Sequence, residues 1–359
     1  MNEAAGSERV RAGIVGVSGY SGMELARLLA RHPRFTLAFA ASDRWAGKSL
    51  GSKLPLAGAA AGLVCVSQAD GLAAFGGVEL VFLCTPPEVS IELAPRALAA
   101  GARVVDVSGG LRLPASDYPA WYGFTHPNPG LLAEAVYSMP EVTGTERLRG
   151  ARVVSNPGCY ATAAVMAVLP LLQAGLIERD SIIVDAASGT TGAGRKATEE
   201  WSFSEIDNDF RAYRVLRHQH TPEIERVLAL ASGGPAAVVF TPHLLPMRRG
   251  ILATAYGRLT PAARAGDATA AAIAAFESFA AGRPFLRVVP IEDVALRAAV
   301  GTNRVVLGAK ADASRGVVVA CAAIDNLVKG AAGQAVQNAN LMFGWPESTA
   351  LDDLTGHTP

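Results

Sequence analysis

The chain has 359 residues, half of them hydrophobic, which is enough to bury the cores of two domains. Lys plus Arg and Asp plus Glu stand at 32 each, the formal net charge is zero and no basic run stands out, which excludes the electrostatic footprint of a nucleic-acid binder. The four cysteines (Cys65, Cys84, Cys159 and Cys321) are widely spaced with no CxxC pair, so neither a metal site nor a disulfide framework is expected.

Residues 1–12 (MNEAAGSERVRA) lack the apolar core of a signal peptide. No apolar run approaches the roughly 20 residues of a membrane span. A cytoplasmic protein without a membrane partner is expected. Residues 11–17 (RAGIVGV) read as a buried strand, 22–31 as a helix and 36–41 as a second strand. Residues 80–84 (LVFLC) are a further strand, a helical stretch follows Pro86 and Pro87 to Ala100, and 103–107 (RVVDV) is the next strand. Strand and helix alternating at this pace predict a Rossmann-type, doubly wound α/β domain with a parallel sheet.

The rhythm changes near Val153. Ser155-Asn156-Pro157-Gly158 is a turn cluster, and residues 159–172 read as an apolar helix. Strand-like runs follow at 181–187, 237–240, 251–259 and 317–324, with a Gly/Thr-rich loop at 188–195 and an Ala-rich helix at 268–281. Long β runs with few helices between them predict an α+β domain with a mixed or antiparallel sheet. The last helix, 327–343, is expected to pack back onto the first domain, and the polar stretch 346–359 to fray. The expected division is residues 1–155 with 326–359 for a dinucleotide and 156–325 for catalysis and oligomerisation.

Gly16-Val17-Ser18-Gly19-Tyr20-Ser21-Gly22 follows the first strand and opens the first helix. This GxxGxxG spacing meets the demands of a pyrophosphate site: a tight turn, close backbone approach, and N–H groups at a helix N-terminus. Glycine spacing alone also fits a plain tight turn; the strand before and the helix after favour a cofactor. Asp43 lies 21 residues after Gly22, where a carboxylate would take the ribose hydroxyl of NAD. Ser42, Arg44 and Lys48 surround it and could hold a 2′-phosphate. Two cations and a hydroxyl against one carboxylate favour NADP(H), although a solvated loop charge also accounts for Arg44.

Cys159 follows a Pro-Gly turn at the start of a helix, where unpaired N–H groups and the helix dipole favour an anion. A lowered thiol pKa and a nucleophilic thiolate are expected, with Asn156 as an amide donor to a developing oxyanion. A free cysteine is more often a small buried hydrophobe, and that plainer reading holds for Cys65, Cys84 and Cys321. His218-Gln219-His220-Thr221-Pro222-Glu223-Ile224 holds two of the six histidines. Thr221 reads as an N-cap with Pro222 at the first helical position, placing both histidines in an extended approach. Either imidazole could move a proton, His218 being preferred, while Glu223 orients it or a substrate group. Both could instead be structural, and His243 is a weaker candidate.

Together these segments resemble the N-acetyl-gamma-glutamyl-phosphate reductases, NADP-dependent enzymes of arginine biosynthesis that share their architecture with the aspartate-semialdehyde dehydrogenases. The resemblance rests on residues 13–29, SNPGCYATAA at 155–164, SGTTGAGRKA at 188–197, HQHTPEIE at 218–225, 240–256 and 325–344, in family order. It implies Cys159 as nucleophile, the HQH segment as acid/base, and a homo-oligomer, dimer or tetramer. It also implies Ser188, Gly189 and Asn326 at the cofactor and Tyr213 at the substrate. Asp106 to Leu113 looks like the family's Asp-x-Ser-x-x-x-Arg segment, making Arg112 a phosphate ligand. Gly109-Gly110-Leu111, Tyr137-Ser138-Met139-Pro140-Glu141 and Asp43 depart from the family pattern, the last leaving cofactor preference open.

The implied chemistry is attack of Cys159 on an acyl phosphate, loss of inorganic phosphate held by Arg112 with Arg195 or Lys196, and reduction of the thioester to an aldehyde. The same thiol would serve a carrier-linked aminoadipyl or glutamyl phosphate, or aspartyl phosphate. A non-catalytic NADPH-sensing module is the alternative from another class, and it has no need of the thiol or the histidine pair.

Overall fold

The computed structural model describes residues 9–196 and 198–352. In the first half, short apolar runs form β1 (Val10–Val15), β2 (Phe35–Ala41), β3 (Leu80–Leu83), β4 (Arg103–Asp106), β5 (Val136–Tyr137) and β6 (Val153–Ser155). They make one sheet in the order β2-β1-β3-β4-β6-β5, every pair parallel. All four residues of β3 are buried, as expected of a parallel strand covered on both faces. Helices Tyr20–Arg31 and Pro87–Ala99 carry the chain between strands. β2 and β3 flank β1 on opposite sides, so the carboxyl ends of β1 and β3 bound the switch-point crevice where ligands settle in such sheets.

The second half builds β7 (Ile182–Gly189), β8 (Arg211–Ala212), β9 (Val238–Leu245), β10 (Ile251–Arg258), β11 (Leu286–Val288), β12 (Val305–Asp312) and β13 (Val317–Ile324). Their order is β11-β12-β13-β10-β7-β9-β8, a mixed sheet in which β7/β9 and β11/β12 are parallel and the other pairs antiparallel. Burial alternates along β7, β9 and β10, the period-two mark of a sheet with one packed face. That face covers the Cys159–Gln173 helix, in which every residue from Tyr160 to Leu172 is buried. A helix apolar all round belongs in a core. The other face exposes Ile183, Val239 and Tyr256.

The expected α/β plus α+β architecture is the one observed, with local differences. β12 escaped the sequence reading because its first five residues are all buried, leaving no alternation to see. β5, β8 and β11 are only two or three residues long. The final helix is not regular throughout: Val328–Ala332 is a π turn leading into Gly333–Met342. It does pack on the first sheet, where Val328, Ala335 and Met342 share a core with Ile14, Leu25 and Phe82. Residues 346–352 do not fray: the backbone oxygens of Glu347 and Thr349 accept from Asn340 Nδ2, and Leu351 is buried. Residues 353–359, also expected to fray, lie outside the described residues. No described helix is long and apolar enough to cross a membrane.

Phe276, fully buried on the Ala268–Ala280 helix, gives a test of the second core. Phe276→Ala is expected to lower the unfolding free energy by about 3–5 kcal/mol in a urea titration. A loss below about 1 kcal/mol would contradict the packing described.

Candidate active site

β1 runs into Gly16, whose φ of +88° favours glycine. A Cβ there would stand 2.3 Å from the Cys84 carbonyl oxygen, and one on Gly22 would stand 2.4 Å from the Gly16 oxygen. The first glycine therefore serves the turn and the third serves close helix–strand packing. The Tyr20–Arg31 helix starts without a side-chain cap, leaving its first N–H groups for a ligand. A crevice of about 540 Å³ opens here. Gly16, Ser18, Gly19, Tyr20 and Ser21 line it from the glycine loop, and Ser42, Asp43 and Arg44 from the end of β2. Cys84, Thr85 and Pro86 close it from β3, so Cys84 is a crevice residue and not merely an apolar filler.

The polar groups fit a phosphate-rich dinucleotide. Ser42 Oγ donates to Ser18 Oγ at 2.7 Å, binding the two walls together. Asp43, the one carboxylate of the lining, already accepts the Gln68 N–H at 2.8 Å. Three cations line the crevice: Arg44, Arg195 and Lys196. Arg195 donates to the Ser18 carbonyl at 2.9 Å and lies over the Trp45 ring. Arg195 and Lys196, expected at the departing phosphate, thus belong to the dinucleotide crevice. Lys48 is exposed and outside the lining, because its backbone turns away to pair with Cys65. Ser188 and Gly189 are buried beneath the loop, the Gly189 N–H donating to the Gly250 oxygen, and Thr191, Gly192 and Gly194 form the wall instead. Asn326 accepts the Gly250 N–H at 2.8 Å and donates to Thr191 Oγ1 at 2.9 Å, joining that wall to the start of the final helix.

β6 delivers the chain into the Asn156-Pro157-Gly158 turn, and Cys159 is the first residue of its helix. Gly158 is required sterically: a Cβ would stand 2.2 Å from His220 Nε2 and 2.8 Å from Arg112 Nη1. Cys159 is half-buried. Desolvation by the surrounding protein pushes its thiol up to about 11, against the pull of Arg112 and of the Tyr160 and Cys159 N–H groups. The expected lowering of its pKa is therefore overturned. A helix terminus contributes only about 0.3–1 kcal/mol at an exposed site, and removal from water outweighs it here.

Glu223 lies at the centre of the site, 1 % exposed. Its Oε1 accepts the Gly158 N–H at 2.8 Å and the Tyr137 hydroxyl at 2.9 Å. Its Oε2 has no hydrogen bond and stands 3.7 Å from Arg112 Nη1 and 4.0 Å from His220 Nε2. Arg112 does not present an open fork. Its Nε donates to the Asn156 oxygen at 2.8 Å, its Nη2 to the Val107 oxygen at 3.0 Å, and its Nη1 lies 3.3 Å from His220 Nε2. It braces the thiol's turn. Asn156 is likewise anchored, donating one Nδ2 hydrogen to the Ala331 oxygen and accepting from Asn338 Nδ2.

The histidine helix starts at His220, one residue before the expected Thr221 cap, and the Thr221 hydroxyl is buried without a partner. The reason is local: His218 Nδ1 accepts the His220 N–H at 3.2 Å and serves where the threonine was expected to. The two imidazole centroids are 4.8 Å apart. Burial, then Arg214, pulls His218 down to about 3, and burial with His218, Arg112 and Arg214 holds His220 well below the usual range. Both are neutral at pH 7. Tyr213 donates to Tyr160 Oη at 3.2 Å and edges onto His218, whereas His243 only lends its backbone oxygen to Tyr160. Sequence reasoning missed Tyr137 and Tyr160 as site residues; Tyr160 adjoins the thiol, but no local signal marks Tyr137. Gly16→Ala is expected to abolish NADP⁺ binding in calorimetry while the protein stays folded; unchanged affinity would contradict the crevice described.

The model for the semialdehyde dehydrogenase NAD binding domain matches residues 11–151, and that for the semialdehyde dehydrogenase dimerisation domain matches 159–326. An N-acetyl-gamma-glutamyl-phosphate reductase of Symbiobacterium thermophilum is 44% identical over 95% of this chain and 97% of its own. Those of Magnetococcus marinus and Laribacter hongkongensis are 41% and 42% identical, each over 96% of this chain and 98% of theirs. Among solved structures, aspartate semialdehyde dehydrogenase II of Vibrio cholerae, complexed with ASA, superposes with a TM-score of 0.71 at 19% identity over 94% of this chain and 98% of that one. Aspartate semialdehyde dehydrogenase with NADP from Candida albicans gives 0.66 at 16% over 93% and 98%. At those identities the structural likeness speaks for the fold alone. The sequence likeness, spanning nearly the whole chain, goes further: the chain belongs to the N-acetyl-gamma-glutamyl-phosphate reductase family.

Proposed function

We propose that the chain reduces N-acetyl-gamma-glutamyl phosphate to N-acetylglutamate 5-semialdehyde and inorganic phosphate with NADPH, a step of arginine biosynthesis, through a thioester on Cys159. The observation that supports this reading is a thiol at a helix start, preceded by Gly158, which packs against His220 and Arg112 and whose N–H donates to Glu223. The Asn326–Thr191 bond connects that corner to the dinucleotide crevice. Ser18, Gly19 and the N-terminus of the Tyr20–Arg31 helix would hold the pyrophosphate, and Ser42, Arg44, Arg195 and Lys196 the 2′-phosphate end.

A protonated thiol beside a neutral imidazole calls for general-base chemistry and not a standing thiolate. His220 is the better base, a preference reversed from the sequence reading. Its Nε2 abuts the residue before Cys159, whereas His218 Nδ1 is engaged by a backbone N–H. As sulfur bonds to the acyl carbon, His220 takes the thiol proton, the carbon–oxygen bond to phosphate breaks, and the imidazolium passes that proton to the departing phosphate. Glu223 Oε2 stabilises the transient imidazolium, and the N–H groups of Cys159 and Tyr160 meet the oxyanion. NADPH held by the crevice residues named above would supply the hydride that reduces the thioester. The carbon–sulfur bond then breaks, releasing aldehyde, and the thiolate takes a proton from solvent to restore the resting thiol. His218, its Nδ1 occupied, offers an Nε2–H donor to substrate oxygen, and Tyr213 flanks it. The enzyme works in the cytoplasm as a homo-oligomer joined through the open sheet face carrying Ile183, Val239 and Tyr256.

In an NADP(H)-linked assay the protein should act on N-acetylglutamate 5-semialdehyde with phosphate and far more weakly on aspartate semialdehyde; the reverse order would refute the substrate. Cys159→Ser should lower turnover by several orders of magnitude and leave NADPH binding intact. His220→Asn should cost about 10²–10⁴-fold at neutral pH, with residual activity climbing steeply between about pH 7 and 9 as hydroxide replaces the lost base. A flat profile in that variant would remove His220 from the role.

A further inference from the structure

The final helix touches the nucleophile through its irregular turn. The π turn Val328–Ala332 is closed by the Gly330 N–H donating to the Asp325 oxygen and the Ala332 N–H to the Leu327 oxygen. Such turns are short insertions that re-aim a helix and recur at functional sites. Here the insertion lays Gly330 against the thiol residue: a Cβ on Gly330 would stand 2.6 Å from Cys159 Cβ. The next residue, Ala331, gives its oxygen to Asn156 Nδ2 in the turn before Cys159. The two residues that follow the π turn's lysine thus shape both sides of the nucleophile.

The turn is clamped at its entry and its centre. At the entry, Asp325 Oδ1 accepts the Leu327 and Val328 N–H groups. At the centre is Lys329, fully buried, its Nζ 2.6 Å from Glu141 Oε1 and 2.8 Å from Gln337 Oε1, with the Phe285 ring below. Gln337 Nε2 also donates to Glu141 Oε1, so one carboxylate oxygen joins the turn to the helix it continues into. A buried ion pair is weak evidence of stability, since well-packed apolar residues of similar volume often do as well. What directed bonds supply and apolar packing does not is a single register.

We propose that Lys329 is a positioning residue for Cys159: bonded to Glu141 and Gln337, it holds the π turn in the register that seats Gly330 against the nucleophile. This rests on the reading of Cys159 as the attacking group. Loss of the register lets the Cys159 end of its helix shift, and a misplacement of 1 Å at a reacting centre costs about 10²-fold.

The test compares two variants with the wild-type enzyme: the Lys329→Met/Glu141→Gln double variant, which removes both charges and keeps volume, and Gly330→Ala. Circular dichroism, NADP⁺ affinity, kcat, and the rate of Cys159 alkylation by iodoacetamide across pH are measured for each. Both folded variants should retain NADP⁺ affinity, lose about 10²-fold or more in kcat, and show an altered alkylation profile. A purely structural role lowers the melting temperature alone. Should the double variant not fold, Gly330→Ala decides. A folded variant with wild-type kcat and wild-type alkylation overturns the proposal. An altered alkylation profile with unchanged kcat spares the geometry and instead removes Cys159 from the chemistry, which is the failure of the underlying reading.

Discussion

The Gly158 N–H donates to a buried Glu223 carboxylate, and the position of Cys159, the next residue, follows from that bond. The carboxylate comes from the histidine helix, the N–H from the turn before the thiol helix, and the second donor to the same oxygen, Tyr137, from the edge of the parallel sheet. Three separate elements meet on one oxygen atom. Burying a carboxylate is costly unless it is paired and hydrogen-bonded, and Arg112 provides the opposite charge while its other nitrogens are held by the Val107 and Asn156 carbonyls. The second carboxylate oxygen stays without a hydrogen bond, facing His220.

The two halves divide the work by sheet type. The parallel sheet places a glycine turn and a helix N-terminus at the switch point of its strands. The mixed sheet does not hold the thiol itself. It covers the apolar Cys159–Gln173 helix so completely that this helix has one place to lie, with Gly158 just before it pressed against His220 and Arg112, and Cys159 pressed against Gly330. Asn326 and the π turn close the gap between the halves, one bonding to the crevice wall and the other packing on the thiol.

Much of this was legible in the sequence. Alternating apolar runs and helical stretches marked the parallel sheet, and the Pro-Gly-Cys junction marked a helix start at the residue observed. What escaped was what local pattern does not encode. The first five residues of β12 are buried in a row and carry no period. The π turn sits in a run of Gly and Ala that reads as ordinary helix. Residue type placed Asn156 and the family resemblance placed Arg112 near the chemistry, but only the fold reveals that backbone carbonyls take part of their donor capacity. The thiol's ionisation was misjudged for a related reason: the helix terminus is visible in sequence, and the desolvation that outweighs it is not.

That ionisation separates a general-base mechanism from one with a standing thiolate, and a single measurement tests it. Iodoacetamide alkylation of Cys159 in the ligand-free protein, followed by mass spectrometry from neutral to strongly alkaline pH, reports the thiolate fraction directly. With the thiol near 11, the rate should keep rising through the alkaline range without levelling off near neutrality. A plateau already reached at neutral pH would mean that the sulfur is ionised at rest and that His220 has no proton to take.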